Sequence, residues 1–191
     1  MATAPLADIA DRRFVRTREV LLAAFLELLF ERGYEALSVG DIVTKANIGR
    51  STFYDHFSGK DELLRFSLRR PFGVLAAIVG ESETCGETLR VLQHFRARRK
   101  LGPVLFSWPV RPHLGRALVE LIEERLALLY PAMQGIVGRR VAAIQIAEAQ
   151  LALVDQWISG RAACGIEDMA EALHASTNAI TRSLRFVPSA P

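Results

Sequence analysis

The side chains with most to offer chemically are gathered in one short stretch, residues 38–60. Arg50, Ser51 and Thr52 stand in a row there. A guanidinium takes O6 and N7 of guanine bidentately, hydroxyls bond to either base edge, and a threonine methyl fits thymine. Thr17, Lys45, Tyr54, His56 and Lys60 carry donors of the kind that bind phosphate oxygens, and a helix beginning at Lys60 would add its positive end. A second set is dispersed through the later chain. Phe72, Phe95, Phe106, Trp108, Tyr130 and Trp157, with His94, His113 and Gln156, have the mostly apolar and sparsely polar make-up of a small-molecule pocket. Aromatics at helical spacing serve equally well as core.

Other chemistries lack their residues. His94 and His113 have no Cys or carboxylate at metal-ligand spacing, so neither a metal nor a cofactor is expected. GxSxG, HExxH, GxxxxGK[ST] and a strand-borne GxGxxG are missing, which argues against an enzyme. Cys85 and Cys164 lie far apart without a CxxC neighbour and are read as reduced small hydrophobes. Arg96, Arg98, Arg99 and Lys100 form a basic run, read as a solvated helix end.

Elements must hold these groups in place, and the pattern is all-helical. Leu21, Phe25, Leu28 and Leu29 repeat at helical spacing over residues 16–32, and Gly33 supplies the stop. Ser38 with Asp41 reads as an N-cap and its acidic N3 partner, opening a helix over 39–46. Asn47-Ile48-Gly49 then turns the chain into a second short helix, 50–56, ended by Ser58-Gly59. Two short helices joined by a tight turn make a helix-turn-helix, whose apolar side, Val39, Ile42, Val43, Ile48 and Phe53, needs the preceding amphipathic helix behind it.

Beyond it, a helix over 60–70 is expected to kink or end at Pro71 and to resume over 72–79. Then come a loop over 80–86, a helix over 87–100, a proline-broken connector over 102–112, a helix to Tyr130, and two long helices over 139–159 and 166–184 before a frayed tail. Two domains are expected, 1–59 and 60–191.

Composition agrees with a folded chain of this kind. Of 191 residues, 50% are hydrophobic and 24% charged, which excludes disorder and low complexity. No apolar run reaches the roughly 20 residues of a membrane span, and no export signal opens the chain, so the cytoplasm is expected. Twenty-four Lys and Arg against 21 Asp and Glu, a net +3, permit nucleic-acid binding without demonstrating it.

The run from Ile42 through Lys45-Ala46-Asn47-Ile48-Gly49-Arg50-Ser51-Thr52-Phe53-Tyr54-Asp55-His56-Phe57 to Lys60-Asp61-Glu62-Leu63-Leu64 resembles the DNA-binding signature of TetR-family transcriptional regulators. With Thr17-Arg18-Glu19 and Glu31-Arg32-Gly33-Tyr34, the resemblance covers residues 14–64. It departs at Val43, Asn47, Gly49 and Ser51, where the family often has Ala, Gly, Ser and Gly, and Ser51 bears on which base is read.

The resemblance implies an all-helical homodimer, a DNA head on each subunit and a larger C-terminal effector-binding and dimerisation domain. It implies a repressor on a pseudo-palindromic operator, with the helix over 60–70 as lever and a pivot near Pro71. The last two helices would form the dimer bundle through Val141, Ile144, Ala147, Leu151 and Val154 with Met169, Leu173, Ala175 and Ile180. The rival is a helical small-molecule-binding or protein-interaction module without sequence-specific DNA binding. It accounts for the later helices but leaves Arg50, Tyr54, His56 and Lys60 without a task.

Overall fold

Apolar residues three and four apart build the first helix, α1, Leu6–Arg32, whose Leu21, Phe25, Leu28 and Leu29 are all at most 2% exposed. Gly33 ends it at φ 76°, a left-handed conformation that costs glycine little. The computed structural model describes residues 6–80, 86–131 and 136–184, and the regular structure among them is helical throughout. α2 (Val39–Ala46) and α3 (Arg50–His56) form where their pattern predicts. α4 covers Lys60–Ala77, α5 Gly86–Ala97, α6 Gly102–Leu105, α7 Val110–Leu129, α8 Ile136–Ile158 and α9 Ile166–Leu184, with a 3₁₀ turn at Arg99–Leu101.

Three expectations are corrected. α1 begins ten residues before its expected start at Arg16, and Phe14, two residues ahead of that start, lies with its ring 4.2 Å from His56, a contact that the apolar period does not show. Pro71 does not end α4, which runs on to Ala77. Proline removes one amide donor, so the Ser67 carbonyl loses its helical partner, while Phe72, Leu75 and Ala76 beyond it are buried and hold the helix. The proline-rich connector contains helix: α6 starts at Gly102 and α7 at Val110, leaving Pro112 in the first turn of α7. The expected loop over 80–86 and the frayed tail fall largely outside the described residues, as does Cys85.

The chain divides into two compact units, one up to Ser67 and one from Leu68. In the first, α1 packs on α2 and α3 around Ile42, Phe53, Phe57, Leu63 and Leu64, each at most 1% exposed, while Val39, Val43 and Ile48 are half-buried. In the second, α7 packs on α8, α8 on α9 and α9 on α5. Leu114, Leu118, Ile122 and Leu126 form the buried stripe of α7, and Ala142, Ala143 and Ala147 let α8 approach its neighbours closely. Gln150 crosses this core, its Nε2 donating to Leu75 O at 3.1 Å and to Thr177 Oγ1 at 2.9 Å. Ala147, Leu151, Val154, Met169 and Leu173, read from sequence as dimer positions, are buried in the unit's own core. No helix among the described residues is long and apolar enough to cross a membrane.

Candidate nucleic-acid interface

The turn between α2 and α3 is built by short-range polar chemistry. Ser38 sits in extended conformation, and its Oγ accepts from the Asp41 amide at 3.2 Å while Asp41 Oδ2 accepts from the Ser38 amide at 3.0 Å, closing a capping box. Asp41 Oδ1 also pairs with Arg32 at 3.0 Å. The Ser38 hydrogen bonds, helped by the Arg32 charge, hold the Asp41 carboxyl below its ordinary range. α2 ends at Asn47, left-handed at φ 53°, whose amide returns to Thr44 O at 3.2 Å as Ile48 N reaches Val43 O at 3.0 Å. Asparagine carries the left-handed residue of this turn. Gly49 is extended (φ −65°, ψ 146°), and a Cβ there would meet nothing closer than 3.7 Å.

With Phe53 fully buried beneath α3, the helix turns Arg50, Ser51 and Tyr54 outward; all three are exposed, and Thr52 is half-buried. Tyr54 is 51% exposed, its ring at 89° to that of Phe53 with the centroids 5.5 Å apart. These positions present a cation, hydroxyls and a phenol on one short helix over a rigid apolar floor.

The remaining candidates are already engaged. Lys60 Nζ donates to Tyr34 O at 2.9 Å and Leu37 O at 2.8 Å and stands 4.5 Å over the Tyr34 ring, so it fastens the start of α4 to the segment before α2. Lys45 pairs with Glu27 at 2.9 Å and Glu31 at 3.7 Å on α1, and Thr17 Oγ1 donates to Arg13 O at 2.9 Å. His56 is half-buried, its ring 4.2 Å from Phe14 and its Nδ1 buried without a hydrogen-bond partner. Burial first, and then the Arg18 charge, push its pKa below the ordinary 6.5.

Sequence reasoning missed Arg18. Its guanidinium carbon lies 5.4, 4.9 and 4.4 Å from the Phe14, Phe57 and Phe66 rings, a cation in an aromatic cage that ties α1 to α3 and α4. Phe14 stands four residues before Arg18, a helical-neighbour spacing, but nothing in the local pattern signals Phe57 or Phe66. The longer α1 also adds Arg12 and Arg13 to the exposed helical surface of this unit.

The aromatic and polar residues read as pocket candidates have divergent settings in the second unit. Phe72 and Trp157 are buried, the Trp157 indole donating to Cys164 O at 3.1 Å. Phe95, His113 and Tyr130 are half-buried, and Trp108 is 80% exposed. His94 is exposed within hydrogen-bond distance of the Arg98 guanidinium, and Gln156 Oε1 accepts from Arg161 Nε at 2.8 Å. Phe106 lines a cavity of about 520 Å³ with residues of the 3₁₀ turn, α6 and the end of α8.

A family description, bacterial regulatory proteins of the tetR family, matches residues 21–65. The chain is 51% identical over 61 residues to an uncharacterized HTH-type transcriptional regulator, YxbF of Bacillus subtilis (strain 168), covering 31% of this chain and 16% of that protein. It is 33% identical over 64 residues to the HTH-type dhaKLM operon transcriptional activator DhaS of Lactococcus lactis subsp. lactis (strain IL1403), covering 34% of each. The alignments thus span about a sixth and a third of these relatives. Among solved structures, a TetR transcriptional regulator from Streptococcus agalactiae 2603V is similar with a TM-score of 0.56 at 22% identity, over 90% of this chain and 99% of that one. NalD of Pseudomonas aeruginosa, described as the secondary repressor of the MexAB-OprM multidrug efflux pump, is similar with a TM-score of 0.54 at 20% identity, over 86% and 95%. At such identities the likeness speaks for the fold.

Proposed function

From the match of residues 21–65 to the tetR family of bacterial regulatory proteins, we propose that this chain is a member of that family and a cytoplasmic DNA-binding transcriptional repressor. The observation that carries this reading is α3: Arg50, Ser51 and Tyr54 are exposed on a helix whose other side is anchored by a fully buried Phe53. α3 enters the major groove, where Arg50 reads a base edge and Ser51 and Thr52 reach neighbouring groups. Tyr54 binds a phosphate at the flank, Thr17 by turning its hydroxyl from Arg13 O to a phosphate oxygen, Lys45 with the ammonium proton left over from Glu27 and Glu31, Lys60 with the one left over from its two carbonyl partners, and His56 from the α3 C-terminus. Residues 1–59 serve as the DNA head and 60–191 as the effector and dimerisation domain.

We further propose a homodimer formed through α8 and α9. Val141 and Ile144 of α8 are each 43% exposed, and Ala172, Ala175 and Ala179 of α9 are exposed small residues that allow close approach. A two-fold dimer requires a pseudo-palindromic operator with half-sites about 34 Å apart or a multiple of that. An effector that binds the second unit better in the free form than in the DNA-bound form releases the operator. The test is fluorescence anisotropy of the full chain on the DNA flanking its own gene and on a shuffled control, at about 50 and 200 mM salt. Preference for the native DNA that persists at the higher salt supports the reading, and equal, salt-erased binding to both rejects it.

A further inference from the structure

The cavity of about 520 Å³ in the second unit lies within the size range of small-molecule sites, roughly 300–1,000 Å³. Its wall is uneven in charge: Arg99, Lys100 and Arg161 supply cations, and Asp155 the carboxylate. Arg161 Nη2 pairs with Asp155 Oδ2 at 3.0 Å, so that carboxylate is spoken for. Arg99 and Lys100 are exposed and have no ion-pair partner among the described residues.

A helix C-terminus presents carbonyl oxygens that favour cations, and α8 ends at this cavity. Three of those oxygens have partners within the chain: Asp155 O accepts from Ser159 N at 3.0 Å, Gln156 O from Ala162 N at 2.9 Å and Trp157 O from Gly160 N at 3.0 Å. With Arg161 and Asp155 paired, Arg99 and Lys100 leave the cavity wall with a net positive charge. Its other wall is apolar. Phe106, Pro103 and Ile158 line it, and Gly102 lets α6 lie against Ile158, since a Cβ there would sit 3.0 Å from Ile158 Cδ1.

We propose that this cavity binds a small organic carboxylate with a flat apolar body, its charge held by Arg99 and Lys100 and its body against Phe106, Pro103 and Ile158. Guanidinium and ammonium groups bind carboxylates through charge-assisted hydrogen bonds, and the apolar wall rewards a ring that a bare inorganic anion lacks. The proposal rests on the functional reading only in taking the second unit as the one that receives an effector. It uses the basic run that DNA recognition leaves without a task.

Isothermal titration calorimetry on the full chain without DNA, with 1-naphthoate as the probe, tests it. The expected result is saturable binding that weakens with salt, with no saturable binding of uncharged 1-naphthalenemethanol. The Arg99→Gln/Lys100→Gln variant, altered only at exposed positions, is expected to keep its melting temperature and weaken binding by at least about tenfold. No saturable binding, equal affinity in the double variant, or tighter binding of phenyl phosphate than of naphthoate overturns the proposal. Because DNA is left out, failure of the anisotropy test leaves this outcome standing, and the reverse holds too.

Discussion

At the scale of single residues, the head separates side chains that read from side chains that hold. Arg50 has no internal partner among the described residues, so its truncation changes the surface and little else. Arg50→Ala is expected to keep the melting temperature and to lose about 1–3 kcal/mol of discrimination at one base pair, seen in anisotropy on operator variants. Lys60 does both jobs. Lys60→Ala removes two hydrogen bonds to carbonyls, costing about 1–3 kcal/mol in urea unfolding, and lowers the salt slope of DNA binding by about 0.9 if its remaining proton meets a phosphate. His56 gives a pH signature. Its folded pKa lies below the ordinary 6.5, so its neutral form contributes stability that is present above about pH 6.5 and lost as pH falls through the folded value. Asp41 and Glu62, also depressed, lose their contributions only at carboxylate pH, because each must be protonated first. Stability followed from pH 7.5 to 5 is expected to fall, and the His56→Gln variant to fall less; parallel curves would exclude this origin.

At the scale of elements, local chemistry decides more than packing does. α2, its turn and α3 were legible to the residue because the Ser38–Asp41 box, the Asn47 reversal and the Phe53 floor all act within a few residues. Ser38→Ala is expected to cost about 0.5–2 kcal/mol through the lost cap, read by urea unfolding. Asn47→Gly is expected to be neutral or stabilising and Asn47→Ala destabilising, since only the second puts an unsupported Cβ in the left-handed region. α1 and α4 were legible only in part. The early part of α1 carries Asp8, Asp11, Arg12 and Arg13 among its apolar residues, and what it meets is set by contacts far apart in sequence, Phe14 with His56 and Arg18 with Phe57 and Phe66. In α4 the rule that proline stops helices was outweighed by the burial of Phe72, Leu75 and Ala76 beyond it.

At the scale of the whole molecule, the same α8 and α9 must serve a core inside the subunit and the proposed interface between subunits. Val141→Asp with Ile144→Asp is expected to shift sedimentation toward monomer at micromolar concentration and to weaken operator binding with it; an unchanged dimer would place the interface elsewhere. The amino-acid sequence alone determined the helical class, the limits of α2, α3 and α9, and which side of α3 is apolar. Those depend on caps, turns and periodicity, whose causes lie within a turn or two of the chain. Tertiary structure alone decided that Lys60 is tied to the Tyr34 and Leu37 carbonyls, that Lys45 meets Glu27 and Glu31 at the surface, and that His56 is half-buried against Phe14. It also spent Ala147, Leu151, Val154, Met169 and Leu173 on the subunit core, and brought Arg99 and Lys100 to Ile158 and Arg161. Each of these joins residues separated by at least one loop. Periodicity shows that a face is apolar or charged, and only the folded chain shows what that face meets.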